Sequence, residues 1–224
     1  MPTPFSPAYF QFFRELAAHN DKPWFEANRA RFEADVRGPL VDFVLALREP
    51  VAAISPHIVV DPRPNGGSIF RIFRDTRFSA DKTPYKTHGA LQLRHAAGKD
   101  VHAPGFYVHL GPGEVIVGAG LWRPEPEVLT KLRARIQAEP AAWTEVKASL
   151  GGRSLGGESL KRPPAGVPTD HPHLDDLKRK DFVLMAELPE AAALDAGFLD
   201  RVVGEFRAAV PLMRFLCGAQ RLPF

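Results

Sequence analysis

The chain has 224 residues, of which 45% are hydrophobic, a composition typical of a protein that buries a substantial core. Its formal net charge of +3 is a weak excess over that length, so global charge excludes no class of partner and favours none. No apolar run reaches the roughly 18 residues of a membrane-spanning helix, and the N-terminus lacks the pattern of a secretory signal. The single Cys217 has no internal disulfide partner. We therefore expect a soluble cytoplasmic protein with no membrane partner.

The N-terminal part, residues 1–60, is predicted to be helical. Pro7 is typical of the first turn of a helix, where its missing N–H is not needed. Pro23 is expected to open a second helix, and Gly38 and Pro39 are expected to break it before a third helix begins. Apolar residues recur at helical spacing through this part, which indicates that they pack in the core.

Residues 68–122 are predicted to form most of a sheet. Runs of bulky or alternating residues predict strands at residues 69–73, 87–94, 106–110 and 115–122, the last two joined as a hairpin. Gly118 and Gly120 fall on one face of the last of these strands. Glycines inside a strand indicate close approach by another group, here backbone, an aromatic ring or a ligand. Phe106 and Trp122 are expected to pack in the core beneath the sheet.

The second half of the chain returns to helical patterns. Amphipathic helices are predicted at residues 124–138 and 140–150, a buried strand at 182–188, and a closing helix at 194–216 with a kink at Pro211. Helices first, strands in the middle and helices last predict an α+β fold. We expect a single domain over residues 1–224, with a mainly antiparallel central sheet flanked by N-terminal, middle and C-terminal helices.

Residues 151–180 form a long Gly/Pro-rich loop in this prediction. About 30 residues without periodicity are unusual in a compact domain, where such loops are usually functional or disordered. The loop contains a G-x-S-x-G pattern around Ser154. We interpret it as a chance match, because a nucleophile elbow needs a strand before the serine and a helix precedes it here.

The densest charge lies in residues 71–86, which we call the basic segment, with a net charge of +3 in 16 residues. Its cations and anions are Arg71, Arg74, Arg77, Lys82 and Lys86, against Asp75 and Asp81. Arginine binds phosphate or carboxylate through two parallel hydrogen bonds, and lysine adds a mobile point charge. Equally, the two aspartates can neutralise neighbouring arginines and hold the corner between two strands. The sequence leaves both interpretations open.

The basic segment also carries a resemblance. Residues 71–79 followed by residues 81–87 resemble the signature of an uncharacterised bacterial and fungal family known as domain of unknown function 2461. Further similar segments are Trp24-Phe25 with Asn28, residues 118–124, and residues 160–163 with Gly166 and residues 170–172. The resemblance spans nearly the whole chain and implies one domain with one site. It implies no mechanism.

Candidate site residues follow from these patterns. The candidates for ligand binding are Arg71, Arg74, Arg77, Lys82 and Lys86, joined by Lys161 and Arg162 from the long loop. If the protein is an enzyme, the candidates for proton transfer are Asp75, Asp81, Tyr85 and His171. We expect the long loop to fold back over the basic segment, because prolines beside its charged residues lower the entropy cost of holding them there.

Metal and cofactor sites have weaker support in the sequence. Residues 170–173, with Asp175 and Asp176, are able in principle to place imidazole and carboxylate near a metal, but we interpret them as an ordinary surface loop and predict no metal site. Neither a dinucleotide-binding motif nor a P-loop motif occurs. Cofactor use and oligomeric state stay open.

Three functions from different classes are consistent with this pattern. The first is binding of a small anionic ligand, bearing phosphate or carboxylate, at the arginine and lysine cluster, with or without a reaction. The second is a nucleic-acid-binding module that uses the same cations and exposed aromatic residues such as Tyr85. The third is a structural or partner-binding domain in which the charges are paired internally.

Overall fold

The computed structural model describes residues 4–63, 66–98 and 102–224. The chain has the predicted α+β fold, built on a four-stranded antiparallel sheet with the strand order β1-β2-β3-β4. The strands are β1 (Gly89–Arg94), β2 (Gly105–Gly111), β3 (Glu114–Leu121) and β4 (Phe182–Leu188). Within the described part of the chain, no helix has both the length and the apolar character to cross a membrane.

The N-terminal helices form nearly continuous helical structure. They are α1 (Pro7–Ala18), α2 (Lys22–Ala27), α3 (Arg29–Arg31), a π-helical turn (Phe32–Arg37) and α4 (Gly38–Ile54). The predicted break at Gly38 and Pro39 is wrong, because Gly38 keeps helical backbone angles and α4 begins there. Pro39 is tolerated because it lies in the first turn of α4, where a missing N–H costs least.

One face of the sheet packs against these helices and against the C-terminal helices. Phe106 lies on this face with none of its surface exposed, as predicted, and its ring stacks on Phe206 at 4.3 Å between ring centroids. Full burial of a large apolar side chain stabilises the fold by roughly 1.5–3 kcal/mol. The residues of the sheet that face this core alternate along each strand, as in Leu91, Leu93, Val108, Leu110, Val117 and Leu184.

Trp122 does not belong to this core. Its side chain is 47% exposed, so the prediction that it packs beneath the sheet is wrong. Leu121, the last residue of β3, is fully buried on the core face. Successive residues of a strand point to opposite faces, so the residue that follows Leu121 turns towards the other side.

The opposite face of the sheet, the open face, carries small and polar residues together with the apolar Val183 and Met185 of β4. Residues 68–87 run along the β1 edge of the sheet. One isolated antiparallel pair joins Ile69 to Leu91 of β1, and another joins Phe73 to Tyr85 within the segment itself. The predicted strand at residues 69–73 is therefore an extended segment and not a regular strand. Its pairing register shifts by two residues between those two pairs, which interrupts the ladder.

The C-terminal half supplies the remaining helices. They are α5 (Pro126–Ala138), α6 (Pro140–Ser149), α7 (Leu174–Leu177), α8 (Glu190–Ala193), α9 (Phe198–Ala208) and α10 (Val210–Ala219). The predicted closing helix at 194–216 is two helices, because Pro211 starts α10 where we expected a kink. The loop at residues 151–180 contains α7 and pairs with β4 through Gly156 and Val183, at the edge of the sheet opposite to residues 68–87.

Candidate functional site

Arg74 connects the two halves of the basic segment through hydrogen bonds. Its guanidinium donates to the Asp81 carboxylate and to the Thr83 hydroxyl. The same carboxylate accepts the Thr83 backbone N–H at 2.9 Å. This Thr83 hydrogen bond, with the Arg74 guanidinium, lowers the pKa of Asp81 to about 2. Asp81 is thus an ionised group that closes a turn, and not a proton donor near neutral pH.

A second pair lies on the outer surface of the basic segment. Arg77 donates to Asp75 at 2.7 Å, with 77% of the Arg77 side chain exposed. The Arg77 hydrogen bonds lower the pKa of Asp75 to about 2. Lys82 donates to the backbone carbonyl of Thr76 at 2.8 Å. The Arg77–Asp75 pair is compensated within the segment, as the structural hypothesis expects, whereas Lys82 contacts a backbone carbonyl.

Tyr85 is part of the core. It is only 3% exposed, and its ring stacks on Phe25 at 4.2 Å between centroids. Asn20 accepts the Tyr85 backbone N–H and donates to the Tyr85 backbone carbonyl, both at 3.0 Å. Burial raises the pKa of Tyr85. These contacts anchor the end of the basic segment against the N-terminal helices.

Lys86 differs from the other cations of the basic segment. Its side chain is half-buried, lies 5.2 Å from the centroid of the Phe70 ring, and donates to the backbone carbonyl of Arg71 at 3.0 Å. Across residues 4–63, 66–98 and 102–224, neither Lys86 nor Arg71 forms an ion pair with a carboxylate. Burial, followed by the Arg71 charge, lowers the pKa of Lys86. The positive charge of Lys86 is therefore stabilised by a carbonyl and an aromatic ring, without a carboxylate from the described residues.

The long loop is not brought to the basic segment. The backbone N–H of Gly156 donates to the carbonyl of Val183 on β4 at 2.8 Å, and the backbone N–H of Glu158 donates to the buried Asp181 carboxylate at 2.8 Å, which ties the loop to the β4 edge. Lys161 and Arg162 are exposed, and the described residues include no hydrogen bond or ion pair between them and residues 71–86. His171 instead accepts the backbone N–H of His173 at 3.0 Å.

The acidic and histidine residues near α7 form a structural network. The buried Asp176 accepts hydrogen bonds from Trp143 at 3.0 Å, from Lys147 at 2.9 Å and from Arg179 at 3.1 Å. His173 lies with its Nε2 atom 3.0 Å from the Thr144 hydroxyl. Among the residues that the structure describes, no group of three or more histidine, cysteine or acidic side chains is placed to hold a metal ion.

A pocket of about 430 Å³, which we call the sheet-face pocket, lies on the open face. Its floor is made of residues with little or no side chain: Ala90, Gly105, Gly118 and Gly120. Its walls include the apolar residues Phe70, Trp122, Val183 and Met185, and the polar residues Lys86, His88, Gln92 and Tyr107. A hollow with mostly apolar walls and a few polar groups is the usual form of a small-molecule site.

The two glycines that β3 contributes to the floor, Gly118 and Gly120, are needed for different structural reasons. Gly120 has a φ of +135°, and a Cβ atom there would overlap the backbone carbonyl of Phe182 on β4. A Cβ atom on Gly118 would lie 3.3 Å from the sulfur of Met185, at the far part of a flexible side chain. Gly120 is therefore required by the backbone of the sheet, whereas Gly118 keeps the pocket open.

A cluster of titratable groups borders the pocket beside Lys86. The rings of His88 and His109 lie 4.1 Å apart between centroids, and His109 approaches the Tyr107 hydroxyl at 3.3 Å and the Glu114 carboxylate at 3.4 Å. Gly111 leaves room for this pair, because a Cβ atom there would lie 3.0 Å from His109 Nε2 and 3.3 Å from His88. Sequence alternation alone places these side chains on the open face, but does not bring them together.

Burial perturbs the proton affinity of this cluster. Desolvation, together with His109 and Lys86, lowers the pKa of His88 to about 4. Desolvation, together with the Glu114 charge, raises the pKa of Tyr107 to about 12. His88 is thus uncharged and Tyr107 is protonated near neutral pH. Shifted titratable groups gathered at a hollow are a recognised mark of functional sites.

A second hollow of about 360 Å³, the polar pocket, also has Lys86 in its lining. It is lined by Ala17, Asn20, Arg74, Asp81, Thr83, Tyr85 and Thr87, together with Lys86 and His88. Lys86 and His88 therefore border both pockets.

The sequence model of the family described as "Conserved hypothetical protein (DUF2461)" matches residues 8–215. The chain belongs to this family. The match confirms the resemblance carried by the basic segment, and it covers all four strands and every residue that lines the two pockets. No curated protein matches the chain.

Proposed function

We propose that this DUF2461 protein binds a small molecule with an apolar body and a phosphate or carboxylate group in the sheet-face pocket. The observation that carries this proposal is the half-buried Lys86, which lacks a carboxylate partner in the described part of the chain and borders an apolar hollow. Lys86 is the proposed contact for the anionic group. The phenyl ring of Phe70 and the indole of Trp122 are the proposed contacts for the apolar body.

The charge balance supports an anionic ligand. A cation that is partly removed from water loses hydration, and a hydrogen-bonded anion replaces that hydration in surroundings where the attraction is stronger than in bulk water. Arg74 and Arg77 have less to gain from a ligand, because each already donates to an aspartate. The ligand site that we propose is thus narrower than the whole basic segment and is centred on one of its residues.

The shape of the pocket supports an apolar body. About 430 Å³ is within the usual range for sites that enclose a drug-sized molecule. The glycine and alanine floor lets a flat group approach the sheet backbone closely. For an enzymatic reaction in this pocket, the groups in position to transfer a proton are His88 and Tyr107.

Matched ligands and lysine variants test this proposal. Naphthoate and naphthyl phosphate share an apolar body with the neutral naphthalenemethanol, so their binding to the wild-type protein isolates the effect of the anion. We expect both anions to bind about tenfold more tightly than the alcohol. Lys86→Met should abolish that difference. Lys82→Met is the matched control, because Lys82 belongs to the same segment but lines neither pocket, and it should keep the difference.

Binding is measured by calorimetry, with ligand-induced thermal stabilisation as a second readout. Gly118→Leu, which fills the pocket floor, should weaken all three ligands together. The proposal is wrong if the anions and the alcohol bind Lys86→Met and the wild-type protein with the same ratio of affinities.

Nucleic-acid binding is the second candidate, and the exposure of Trp122 is the observation that favours it. The Trp122 ring is 47% exposed, and the Arg123 guanidinium lies 4.8 Å from its centroid. An exposed aromatic ring beside a cation is suited to stacking with a base. Binding of an oligothymidine that falls steeply with added salt and quenches Trp122 fluorescence would favour this function over a small ligand.

A further inference from the structure

We propose that the sheet-face pocket and the polar pocket form one continuous site for a phosphodiester that joins an apolar group to a polar group. This inference rests on the proposed function, because it takes Lys86 as the contact of the anion. The phosphodiester lies at the shared wall of Lys86 and His88, the apolar substituent lies on the open face of the sheet, and the polar substituent lies in the polar pocket.

The shared wall is the first reason. Lys86 and His88 belong to the lining of both hollows, so a group that contacts Lys86 has space on two sides. The hollows have similar volumes, about 430 Å³ and about 360 Å³. A ligand confined to one of them would leave the other side of the Lys86 ammonium open to water.

The position of the charge is the second reason. A carboxylate or a phosphate monoester carries a single substituent, so the anion stands at the end of the molecule. A phosphodiester carries two substituents, with the anion between them, which matches a cation between two hollows. The order of residues along the chain agrees with this arrangement. Lys86 and Thr87 line the polar pocket, and the chain then continues into β1, which borders the open face.

The amount of charge is the third reason. A phosphodiester carries one negative charge near neutral pH, and Lys86 is one half-buried cation at the shared wall without a carboxylate partner among the described residues. His88 adds no positive charge there, since its pKa lies near 4, but its ring N–H remains a hydrogen-bond donor. Arg71 is also without a carboxylate partner in the described residues, but it is exposed, so water screens its charge.

The two linings differ in the chemistry that they offer to the substituents. The sheet-face pocket offers aromatic and aliphatic walls, as described above. The polar pocket offers the Thr83 and Thr87 side chains and the Arg74–Asp81 ion pair. Such groups recognise hydroxyl or amide substituents through hydrogen bonds. The ligand is therefore expected to be apolar at one end of the phosphodiester and polar at the other.

A pair of alanine variants separates the two halves of the site. Ala17 lies in the last turn of α1 and lines the polar pocket, whereas the adjacent Ala18 is also exposed but lines neither pocket. Ala17→Met fills part of the polar pocket, and Ala18→Met is the matched control with the same change of side chain. Both substitutions are at exposed helical positions, where methionine is nearly as favourable as alanine.

The probes are naphthyl phosphate and the phosphodiester of naphthol with glycerol, with binding measured by calorimetry. We expect the wild-type protein and Ala18→Met to bind the diester about tenfold more tightly than the monoester. Ala17→Met should lose that advantage and bind the monoester as the wild-type protein does. Short-chain lysophosphatidylglycerol and a thymidine dinucleotide then distinguish a lipid source of the diester from a nucleotide source.

The outcomes keep this inference apart from the proposed function. If the monoester binds in a Lys86-dependent manner but the diester binds no better, or if Ala17→Met leaves the diester advantage intact, the continuous site is wrong and the proposed function stands. If neither compound depends on Lys86, the proposed function fails and the phosphodiester site fails with it. Tighter binding of the diester that is lost only in Ala17→Met supports the continuous site.

Discussion

The Arg74–Arg77 turn of the basic segment and the sheet-face pocket contain comparable chemical groups but differ in how those groups are compensated. In the turn, Arg74 meets Asp81 and Arg77 meets Asp75. In the pocket, Lys86 contacts a backbone carbonyl and an aromatic ring, and no carboxylate of the described residues pairs with it. The two arginines of the turn are paired with aspartates, whereas the pocket is mostly apolar and its Lys86 has no carboxylate partner in the part of the chain that the structure describes.

The difference shows that the density of charge in a sequence does not by itself locate a binding site. Exposed ion pairs contribute little stability, and their members have little left to offer a ligand. A single cation that is partly buried without a carboxylate has more to gain from an anion. The site that we propose therefore lies where a half-buried charge lacks a carboxylate among the described residues, and not where the charges are most numerous.

The largest effect is expected from the pocket floor. Gly120→Ala should destabilise the protein by about 3 kcal/mol or more, because alanine at this positive φ is strained and its Cβ atom overlaps the Phe182 carbonyl. Gly118→Ala should change the free energy of unfolding by less than about 1 kcal/mol, since the Met185 side chain is able to move. Urea unfolding measures both changes. Equal losses would mean that the two glycines do not have the separate roles that we assign.

The second-largest effect concerns the stability of the protein at acid pH, which depends on His88 in the pocket. The pKa of His88 in the folded protein is about 4, below its ordinary value, so the unfolded chain takes up a proton first as the pH falls. Stability is then lost as the pH drops below about 6.5, and this contribution levels off near pH 4. Between about pH 7.5 and pH 4.5, the wild-type protein should lose roughly 2–3 kcal/mol more than His88→Asn.

Urea unfolding at both pH values measures this loss, and titration of the His88 ring by NMR checks its cause. An identical loss in the wild-type protein and in His88→Asn would show that His88 is not desolvated beside His109 and Lys86. That result would contradict our interpretation that the groups of the pocket are less solvated than those of the turn.

A smaller effect separates the paired cation from the unpaired one. Lys86→Met removes a half-buried charge that has no carboxylate partner in the described residues, so the Tm should rise by about 2–4 °C. Arg74→Met leaves Asp81 without its guanidinium partner and should lower the Tm. Differential scanning calorimetry gives both signs. A fall in Tm for Lys86→Met equal to that for Arg74→Met would indicate that Lys86 is structural.

The smallest effect is expected on the outer surface of the turn. Arg77→Gln should leave both the Tm and the affinity for naphthyl phosphate unchanged, because Arg77 is 77% exposed and lines neither pocket. Phe78→Ser, at a side chain that is 95% exposed, serves as the matched surface control. If Arg77→Gln, but not Phe78→Ser, lost much of its affinity for the anion, the binding site would have to include the arginines of the basic segment.

Much of the fold follows from the sequence alone, because local patterns determine it. Alternating residues predict the β2–β3 hairpin, and helical spacing predicts α5 and α6 close to their observed bounds. The sequence-based predictions fail where one local pattern is compatible with two different structures. Pro39 and Pro211 each mark a point where a helix starts, but the sequence does not show whether the preceding helix has ended. The segment at residues 69–73 has the composition of a strand, yet its shift in register interrupts the pairing.

The site follows from the sequence only in part. Sequence alone singles out the basic segment, which includes Lys86, and the family to which the chain belongs. Only the tertiary structure decides which cations are compensated, because an ion pair depends on the geometry of the turn and not on the count of charges. The same holds for the hollow on the open face, since a pocket forms where folding leaves small residues uncovered. His88, Tyr107 and Trp122 become neighbours of Lys86 there through strand register and sheet order, which composition and spacing do not encode.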